Sequence, residues 1–412
     1  MGIPYYVASL LRTHKHIETK CGNVPLEVDV LGIDFNCFLH KYLRAENPIG
    51  SIVVALHELL TDTVRAKRVL IAFDGLVPLA KMVQQRYRRM RSAVPEGFDK
   101  HQISPGTPFM KNLADALRFL HPELEISDTL TPGEGEHKIF TWMRGMKPEE
   151  RTRICIYGLD ADLVLIAVAQ RDLGDISILR EREDSGFATL SITALANVLP
   201  MDPDRYVRMS IMCFGNDFMP NLAMFSLRED GYSRAIYYAT RNDAPKDEKK
   251  ILIKRGKDAN RRIIAPDGHA LETRLGVQLM DGVLDWEPVC FAFWKTFAWT
   301  YHYFTTSEVL DWDWFYPYPE APLVETMDDY EQPTEFTWEH PTPTWTVEDQ
   351  LRFILPEASL RVAGQRSLYP DEVYDEETES RYPWMRRFAW EADPWVSLPN
   401  GPFTSVSEIQ LT

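Results

Sequence analysis

The sequence lacks several signatures that would suggest a function directly. Its five cysteines are scattered and form no CxxC pair. This argues against a disulfide framework and against a cysteine-based zinc site, and it favours a reducing compartment. The motifs GxxxxGK[ST], HExxH and GxSxG do not occur. The stretch GEGEHK fails as a dinucleotide fingerprint because Lys138 stands where glycine or alanine is required.

Membrane signals are also missing. No apolar run is long enough to cross a bilayer, and we find no signal peptide. The opening MGIPYY does not have the Ser or Thr that a myristoylation signal carries at its sixth position. These observations predict a soluble cytoplasmic protein with no membrane partner. The formal net charge of −16 does not favour nucleic-acid binding, so a polyanion would need a local basic pocket.

Short apolar runs alternate with helical periodicity through the first half of the chain. The predicted strands are LEVDVLGIDFN, RVLIAFDG, RICIYGLD and ISILRE. Helices are predicted between them at IVVALHELLTDTVRA and at TPFMKNLADALRFL, the second with Thr107 as N-cap. This alternation predicts an α/β fold, a mostly parallel sheet with helices on both faces.

Composition shifts divide the chain into three parts. Residues 1–239 are predicted to form the α/β core, and residues 240–275 are a charged stretch with few core residues, typical of an exposed insertion. Residues 276–412 contain a Trp-rich helical segment and a Pro- and acid-rich stretch. We expect this last part to be helical with an extended arm and to wrap over the core.

Acidic residues follow one predicted strand after another. Asp34, Asp74 and Asp160 each come at the end of an apolar run. Because ligands bind at the carboxyl ends of parallel strands, these three should converge at one edge of the sheet. Four more acids stand at comparable places along the chain: Asp162, Glu134, Glu136 and Asp217.

Each acid taken alone has an ordinary explanation. Asp160 or Asp162 could cap a helix, Asp74 suits a turn, and the two glutamates would favour the start of a helix. Helix capping does not explain why successive strands end in an acid. Seven grouped carboxylates need a compensating charge, and an all-oxygen set suits Mg²⁺ or Mn²⁺. Two such ions about 3.5–4 Å apart can support phosphodiester cleavage.

A basic stripe, KMVQQRYRRMR, follows Asp74 closely. If it is helical, Lys81, Gln85, Arg88 and Arg89 share one face at i, i+4, i+7 and i+8 spacing. Such a face could hold a terminal phosphate. A solvated basic surface is the ordinary alternative.

Longer stretches of the sequence resemble the Xrn family of 5′→3′ exoribonucleases, within the metal-dependent 5′ nucleases with PIN-like cores. The matching segments are MGIPYY, IDFNCFLH, FDGLVPLAKMVQQRYRRMRSA, ISPGTPFM, TPGEGEHKI, YGLDADLVL, FGNDFMPNL, AWTYHYF, DWDWFYPYPEAPL, TVEDQLRFILPEAS and WEADPWVSLP. The resemblance therefore covers almost the whole chain. A short VPEGFDKHQI stands where the family usually carries a long helical protrusion, and the chain looks like a minimal form without accessory C-terminal domains.

The resemblance implies roles for these residues. The family's metal site of two Mg²⁺ or Mn²⁺ ions maps onto Asp34, Asp74, Glu134, Glu136, Asp160, Asp162 and Asp217. Its 5′-monophosphate pocket maps onto Lys81, Gln85, Arg88 and Arg89. The first base would stack on His40, with Trp312 or Trp314 as the second ring.

The implied activity is processive 5′→3′ digestion of 5′-monophosphorylated single-stranded RNA to nucleoside 5′-monophosphates. This suits RNA decay by a monomer downstream of a decapping enzyme. Two alternatives stay open. A flap endonuclease-like enzyme acting on DNA shares the carboxylate arrangement, but the glycines of its DNA-binding hairpin are absent from GNDFMPNLAMFSLRED. The second alternative is a protein that binds RNA 5′ ends without cutting them.

Overall fold

The computed structural model of the protein describes residues 2–90, 99–182, 186–227, 230–241, 248, 286–318, 321–362, 365, 366 and 368. Its strands are β1 Glu18–Lys20, β2 Leu26–Asp34, β3 Val64–Ala72, β4 Glu125–Ser127, β5 Arg153–Tyr157, β6 Asp175–Glu181 and β7 Phe187–Ser191. Within the described ranges the α-helices are α1 Tyr6–Thr13, α2 Phe35–Leu39, α3 Pro48–Glu58, α4 Leu79–Met90, α5 Pro108–Leu120, α6 Gly135–Arg144, α7 Asp162–Ala169, α8 Ile192–Val198, α9 Pro203–Phe214, α10 Gly231–Arg241, α11 Glu287–Thr306, α12 Val324–Met327, α13 Val347–Ile354 and α14 Glu357–Val362. Short 3₁₀ turns span Lys15–Ile17, Lys100–Ile103, Pro148–Glu150, Arg171–Leu173 and Ala223–Phe225, and Leu59–Thr63 forms a π turn.

The seven strands form one sheet in the order β1-β7-β6-β5-β2-β3-β4. The strands from β6 through β4 are mutually parallel, as the sequence predicts. At the other edge, β7 and β1 run antiparallel to their neighbours, a feature that the apolar pattern does not reveal. The segment Val64–Ala66, predicted at the end of a helix, begins β3 instead.

The central strand β2 divides its side chains between two apolar layers. Val30 belongs to a cluster that includes residues of α6, α7, α9 and α11, whereas Leu31 and Ile33 belong to a cluster with residues of α3 and α5. Successive side chains of a strand point to opposite faces, so both faces of the sheet are covered. The predicted α/β fold with helices on both faces is therefore confirmed.

The Trp-rich helix α11 is part of the first of these layers. Its Phe293, Trp299 and Phe304 are buried in the same cluster as α7 and α9. The described residues between 307 and 345 are mostly without regular secondary structure and include the short helix α12. The predicted insertion 240–275 lies outside the described residues except for 240, 241 and 248, and the three-part division of the chain stays a prediction. Within the described part of the chain, no helix is both long and apolar enough to span a membrane.

Helix α13 braces the segment that leads into α4. The side chain of Gln350 is fully buried; its Oε1 accepts from the Val77 amide at 2.8 Å, and its Nε2 donates to the Gly75 carbonyl at 3.2 Å. Leu351 and Phe353 pack in an apolar cluster with Leu79 and Met82 of α4. Contacts from the far end of the sequence therefore support the helix that carries the basic stripe.

We predict that Gln350→Leu destabilises the protein by about 1–3 kcal/mol for each backbone group that it leaves unsatisfied. The free energy of unfolding in urea, followed by tryptophan fluorescence, measures this loss. Gln332→Leu, at an exposed position, is the matched control and should change stability by no more than about 0.5 kcal/mol. Equal effects of the two substitutions would contradict the bracing role of Gln350.

Candidate active site

The carboxyl edge of the sheet brings together acids from separate strands. Asp34 is the last residue of β2 and pairs with Ala72, the last residue of β3. Asp74 follows Ala72 by two residues. Single carboxylate oxygens of Asp34, Asp74 and Glu136 all lie within 4.8 Å of one another. The convergence expected from the strand ends is therefore present for Asp34 and Asp74, and the start of α6 adds Glu136.

The turn into α6 depends on glycine. The Gly135 amide donates to Asp74 at 2.8 Å. A Cβ at this position would stand 2.9 Å from Asp34 Oδ1 and 3.0 Å from the Ala72 carbonyl oxygen, so a side chain would push into the cluster. Glycine thus lets Glu134 and Glu136, on either side of it, both be buried at the strand ends.

The remaining acids come from α7 and from the segment after α9. Asp162 begins α7, is 3% exposed, and its Oδ1 has no hydrogen-bond partner among the described residues. Its charge interacts with those of Asp217 and Asp160. Asp160 also interacts with Asp34, so the seven predicted acids form one electrostatic cluster.

Burial dominates the electrostatics of this cluster. It raises the pKa of Asp34 to about 8, with Asp74 and Asp160 adding to the rise. Burial likewise raises the pKa of Glu134 to about 7, of Asp162 to about 6, and of Glu136 well above its usual value. Near neutral pH the cluster therefore holds protons unless cations take their place.

Lys81 supplies a positive charge inside this cluster. Its Nζ forms ion pairs with Glu134 and, at 2.8 Å, with Asp217. Burial lowers the pKa of Lys81, but Asp217 and Glu134 raise it well above its usual value. The structure therefore places Lys81 among the carboxylates rather than on a purely basic surface.

The rest of the basic stripe lies further along α4. Gln85 is buried, and Arg88 and Arg89 are half-buried. Burial, together with Arg88, lowers the pKa of Arg89 to about 10. Burial and the charges of Arg88, Arg89 and Lys100 lower the pKa of His40. The arginines thus group with His40 and with Lys100, a residue that sequence reasoning missed because it lies outside the stripe.

The two candidate stacking tryptophans have different surroundings. The Trp312 carbonyl accepts from the Leu79 amide at 2.8 Å, which places its backbone at the start of α4. Trp314 is bound to α11, where its Nε1 donates to Thr296 at 3.1 Å and Lys295 Nζ lies 4.2 Å from the ring centroid. Among the described residues, no ring–ring contact joins either tryptophan to His40.

Tyr303 supports the acids and was not found from the sequence, whereas His137 is expected from the sequence as a supporting neighbour. The Tyr303 hydroxyl donates to Glu134 at 3.1 Å, and its ring stacks on His137 with 3.6 Å between centroids. Burial lowers the pKa of His137 well below its usual range, so its ring is neutral. His137 also brings a ring nitrogen within 4.8 Å of oxygens of Glu134 and Glu136. The sequence signal that could have pointed to Tyr303 is its place in AWTYHYF, one of the segments that carry the family resemblance.

Near neighbours in the sequence orient the first two acids. Cys37 Sγ donates to Asp34 at 2.7 Å, and Asn36 Nδ2 donates to Asp74 at 2.8 Å. Gly2 adds a packing constraint: a Cβ there would stand 2.3 Å from Asp162 Oδ1, and its φ of +46° also favours glycine. Residues of IDFNCFLH and MGIPYY thus support the acids through hydrogen bonds and close packing. The spacing of the acids in the sequence does not reveal these contacts.

Comparison with known proteins adds an independent line of evidence. Residues 1–96 and 92–182 match the family described as "XRN 5'-3' exonuclease N-terminus". The chain is therefore similar to this family over residues 1–182 of its 412. A 5'-3' exoribonuclease 2 of Eremothecium gossypii is 28% identical over 312 residues, covering 52% of this chain and 33% of the relative. A 5'-3' exoribonuclease 1 of Saccharomyces cerevisiae is 28% identical over 309 residues, covering 56% of this chain and 20% of the relative.

The chain spans about a third or less of the length of these two relatives. Among solved structures, the catalytic core of Rad2 in complex with DNA substrate aligns at a TM-score of 0.43 and 14% identity, covering 84% of this chain and 92% of that one. Flap endonuclease-1 from Methanococcus jannaschii aligns at a TM-score of 0.37 and 16% identity. The alignment covers 57% of this chain and 77% of that one. Both scores fall below 0.5, so the fold assignment rests on the sheet topology itself.

We predict a pH-dependent stability for the metal-free protein. The folded-state pKa of Asp34, about 8, exceeds the value of about 4 in an unfolded chain. The folded state therefore binds this proton more tightly, and the stability that it contributes is complete below about pH 4 and is lost as the pH rises through about 8. In EDTA, Asp34→Asn should gain stability relative to the wild type between about pH 5 and pH 8.5, by at least about 1 kcal/mol.

Thermal unfolding across this pH range measures the effect. Asp62→Asn, at an exposed position outside the cluster, is the control and should show a constant difference from the wild type. If the difference between Asp34→Asn and the wild type were also constant with pH, the raised pKa of Asp34 would be wrong.

Proposed function

We propose that this chain is a 5′→3′ exoribonuclease that hydrolyses 5′-monophosphorylated single-stranded RNA processively to nucleoside 5′-monophosphates. The observation that carries the proposal is the cluster of seven carboxylates, five of them buried, with two half-buried arginines on the neighbouring helix. The names of the curated relatives support RNA as the substrate class. Because the chain covers only part of those relatives, the activity is proposed for this chain rather than taken from them.

The carboxylate cluster fits divalent metal ions. It offers oxygen ligands, and Asp162 Oδ1 has no hydrogen-bond partner among the described residues. Burial raises the pKa of Asp34 and Asp162, so these groups require a cation or a proton. We assign Mg²⁺ or Mn²⁺ as the ion and two as the number, held by Asp34, Asp74, Glu134, Glu136, Asp160, Asp162 and Asp217. Such ions lower the pKa of bound water and offset charge on a scissile phosphate.

The basic residues of α4 would hold the 5′ phosphate. Gln85, Arg88 and Arg89, with Lys81 one turn earlier, share a face of the helix that approaches the carboxylates at Lys81. Arg89 Nε is buried without a hydrogen-bond partner in the described part of the chain. An anion of matching shape would satisfy that donor. This arrangement supports a pocket that binds one terminal phosphate and sets the position of the first phosphodiester bond.

The supporting residues would then keep the acids in place. Tyr303 donates to Glu134 Oε1 and Cys37 donates to Asp34 Oδ2, so one oxygen of each carboxylate is held in place. Arg180 donates to the Leu159 carbonyl at 2.7 Å and steadies the loop that carries Asp160. These contacts orient the acids without taking part in proton transfer.

The first base would stack on the ring of His40, which lies near Arg88 and Arg89. Trp312, whose backbone contacts the start of α4, is better placed than Trp314 to supply the second ring. Stacking accepts any base, as an exonuclease that degrades any RNA requires. The remaining expectations, namely a cytoplasmic monomer that acts after a decapping enzyme, belong to the same proposal.

We predict that the 5′ end of the RNA controls its decay. The substrates are 3′-labelled RNAs with a 5′ monophosphate, hydroxyl or triphosphate, incubated with Mg²⁺ or with EDTA. The monophosphate RNA should be degraded fastest, and only when metal is present. Arg89→Gln should reduce the preference for monophosphate over hydroxyl by about tenfold or more, because a charge-assisted hydrogen bond contributes about 1.5–3 kcal/mol. Arg118→Gln, at a surface arginine of α5, should leave the preference intact.

The other outcomes point to the alternatives. Equal decay of the three RNAs would remove the phosphate pocket from the proposal. Tight binding of 5′-phosphorylated RNA without decay would indicate an RNA end-binding protein. Faster cleavage of a DNA flap than of single-stranded RNA would indicate a flap endonuclease.

We predict that Trp312, rather than Trp314, contributes to RNA binding. In an Asp162→Asn background, which should bind RNA without cutting it, Trp312→Ala should weaken binding of 5′-phosphorylated RNA by about 5- to 150-fold, equivalent to about 1–3 kcal/mol of stacking. Fluorescence anisotropy measures the affinity. Trp314→Ala is the matched control, and a larger loss for it than for Trp312→Ala would reverse the assignment.

A further inference from the structure

Lys81 lies where a cation between two of the acids would lie. Its Nζ contacts Glu134 Oε2 and, at 2.8 Å, Asp217 Oδ2. The side chains of all three residues are almost completely buried, at 8%, 2% and 1% exposure. The charges of Glu136 and Asp162 also act on Lys81. The ammonium group is therefore a counter-ion for this part of the cluster.

An ammonium group and a metal ion cannot both be held by these two oxygens. Both occupants reduce the same repulsion among the carboxylates, but a divalent ion carries twice the charge of the ammonium group. A lysine ammonium group can move away from the two carboxylates easily, because it is carried on a flexible four-carbon stem. The planar guanidinium of an arginine has less freedom to change its position. Glu134 and Asp217 can thus exchange one cation for the other without a change in the backbone.

The face of α4 provides a second position for the ammonium group. Gln85 is one helical turn beyond Lys81, and its buried Oε1 has no hydrogen-bond partner among the described residues. Arg88 and Arg89 follow on the same face. A Lys81 that turns away from Glu134 and Asp217 would join these groups and add a third cation to them.

We propose that Lys81 is a switch between the two halves of the site: it neutralises Glu134 and Asp217 in the metal-free protein and moves to the 5′ phosphate when a divalent cation replaces it. The inference rests on the proposed function for the identity of the anion only. It implies positive coupling, because metal binding releases a cation for the phosphate, and by linkage phosphate binding favours the metal. RNA ends would then be held weakly until the site is loaded.

Metal affinity without RNA tests the exchange. Isothermal titration with Mn²⁺ should give about tenfold tighter binding for Lys81→Met than for the wild type, within the range usual for coupled sites. Lys81→Arg retains the charge and should bind no more tightly than the wild type. Lys111→Met removes an exposed lysine of α5 and should bind like the wild type, which controls for net charge. Unchanged or weaker Mn²⁺ binding by a folded Lys81→Met protein would overturn the proposal.

Chemical labelling tests the movement in the unaltered protein, so the result does not depend on the folding of a variant. Acetylation of lysine amines, mapped by mass spectrometry, should be slow at Lys81 in EDTA and several-fold faster with Mn²⁺, while Lys111 is unaffected. Equal protection of Lys81 in both conditions would overturn the proposal.

Adenosine 5′-monophosphate serves as the phosphate probe. Mn²⁺ should raise its affinity for the wild type more than for Lys81→Met, and equal increases would contradict the coupling. These binding results would stand even if the chain degraded no RNA, so failure of the switch and failure of the proposed function can be told apart.

Discussion

Seven carboxylates share one end of the sheet, and their mutual repulsion constrains the rest of the structure. Buried acids without compensation would hold protons, as the raised pKa values of Asp34 and Glu134 show. The fold tolerates this arrangement because Lys81 enters the cluster and because donors such as Tyr303 satisfy single oxygens. A site built in this way is stabilised by cations, which is the property that a metal-dependent enzyme requires.

The same constraint explains why the last third of the described chain contacts the acids and the basic helix of the first part. α11 supplies Tyr303 to Glu134, and α13 supplies Gln350 to the backbone at the start of α4. Without α11, Glu134 would lose its hydroxyl partner, and without α13 the basic helix would lose its support. The two regions therefore form one structural unit around the proposed site.

The approach of Asp34 to Asp74 follows from the topology of the sheet. Parallel strands end at one edge, so an acid after each strand must approach the others, as Asp34 and Asp74 do. Helical spacing likewise predicts the face of α4, and Thr107 was recognised as the cap of α5. Tyr303 and Gly2 could not be predicted on the same grounds, because their positions depend on packing between segments far apart in the chain. The antiparallel edge of β1 and β7 was missed because short edge strands lack a long apolar run.

Lys81 shows the limit of predicting a role from helical spacing. The spacing places Lys81 with Gln85, Arg88 and Arg89, and the natural interpretation is one pocket of four residues. The structure instead divides the face, with Lys81 ion-paired to acids and the arginines grouped with His40. Charge decides between the two positions: a lone ammonium near buried carboxylates is stabilised more by two anions at contact than by neighbouring cations. Under the proposed function, the phosphate pocket would therefore be complete only after another cation has taken the place of Lys81, and RNA binding would depend on metal loading.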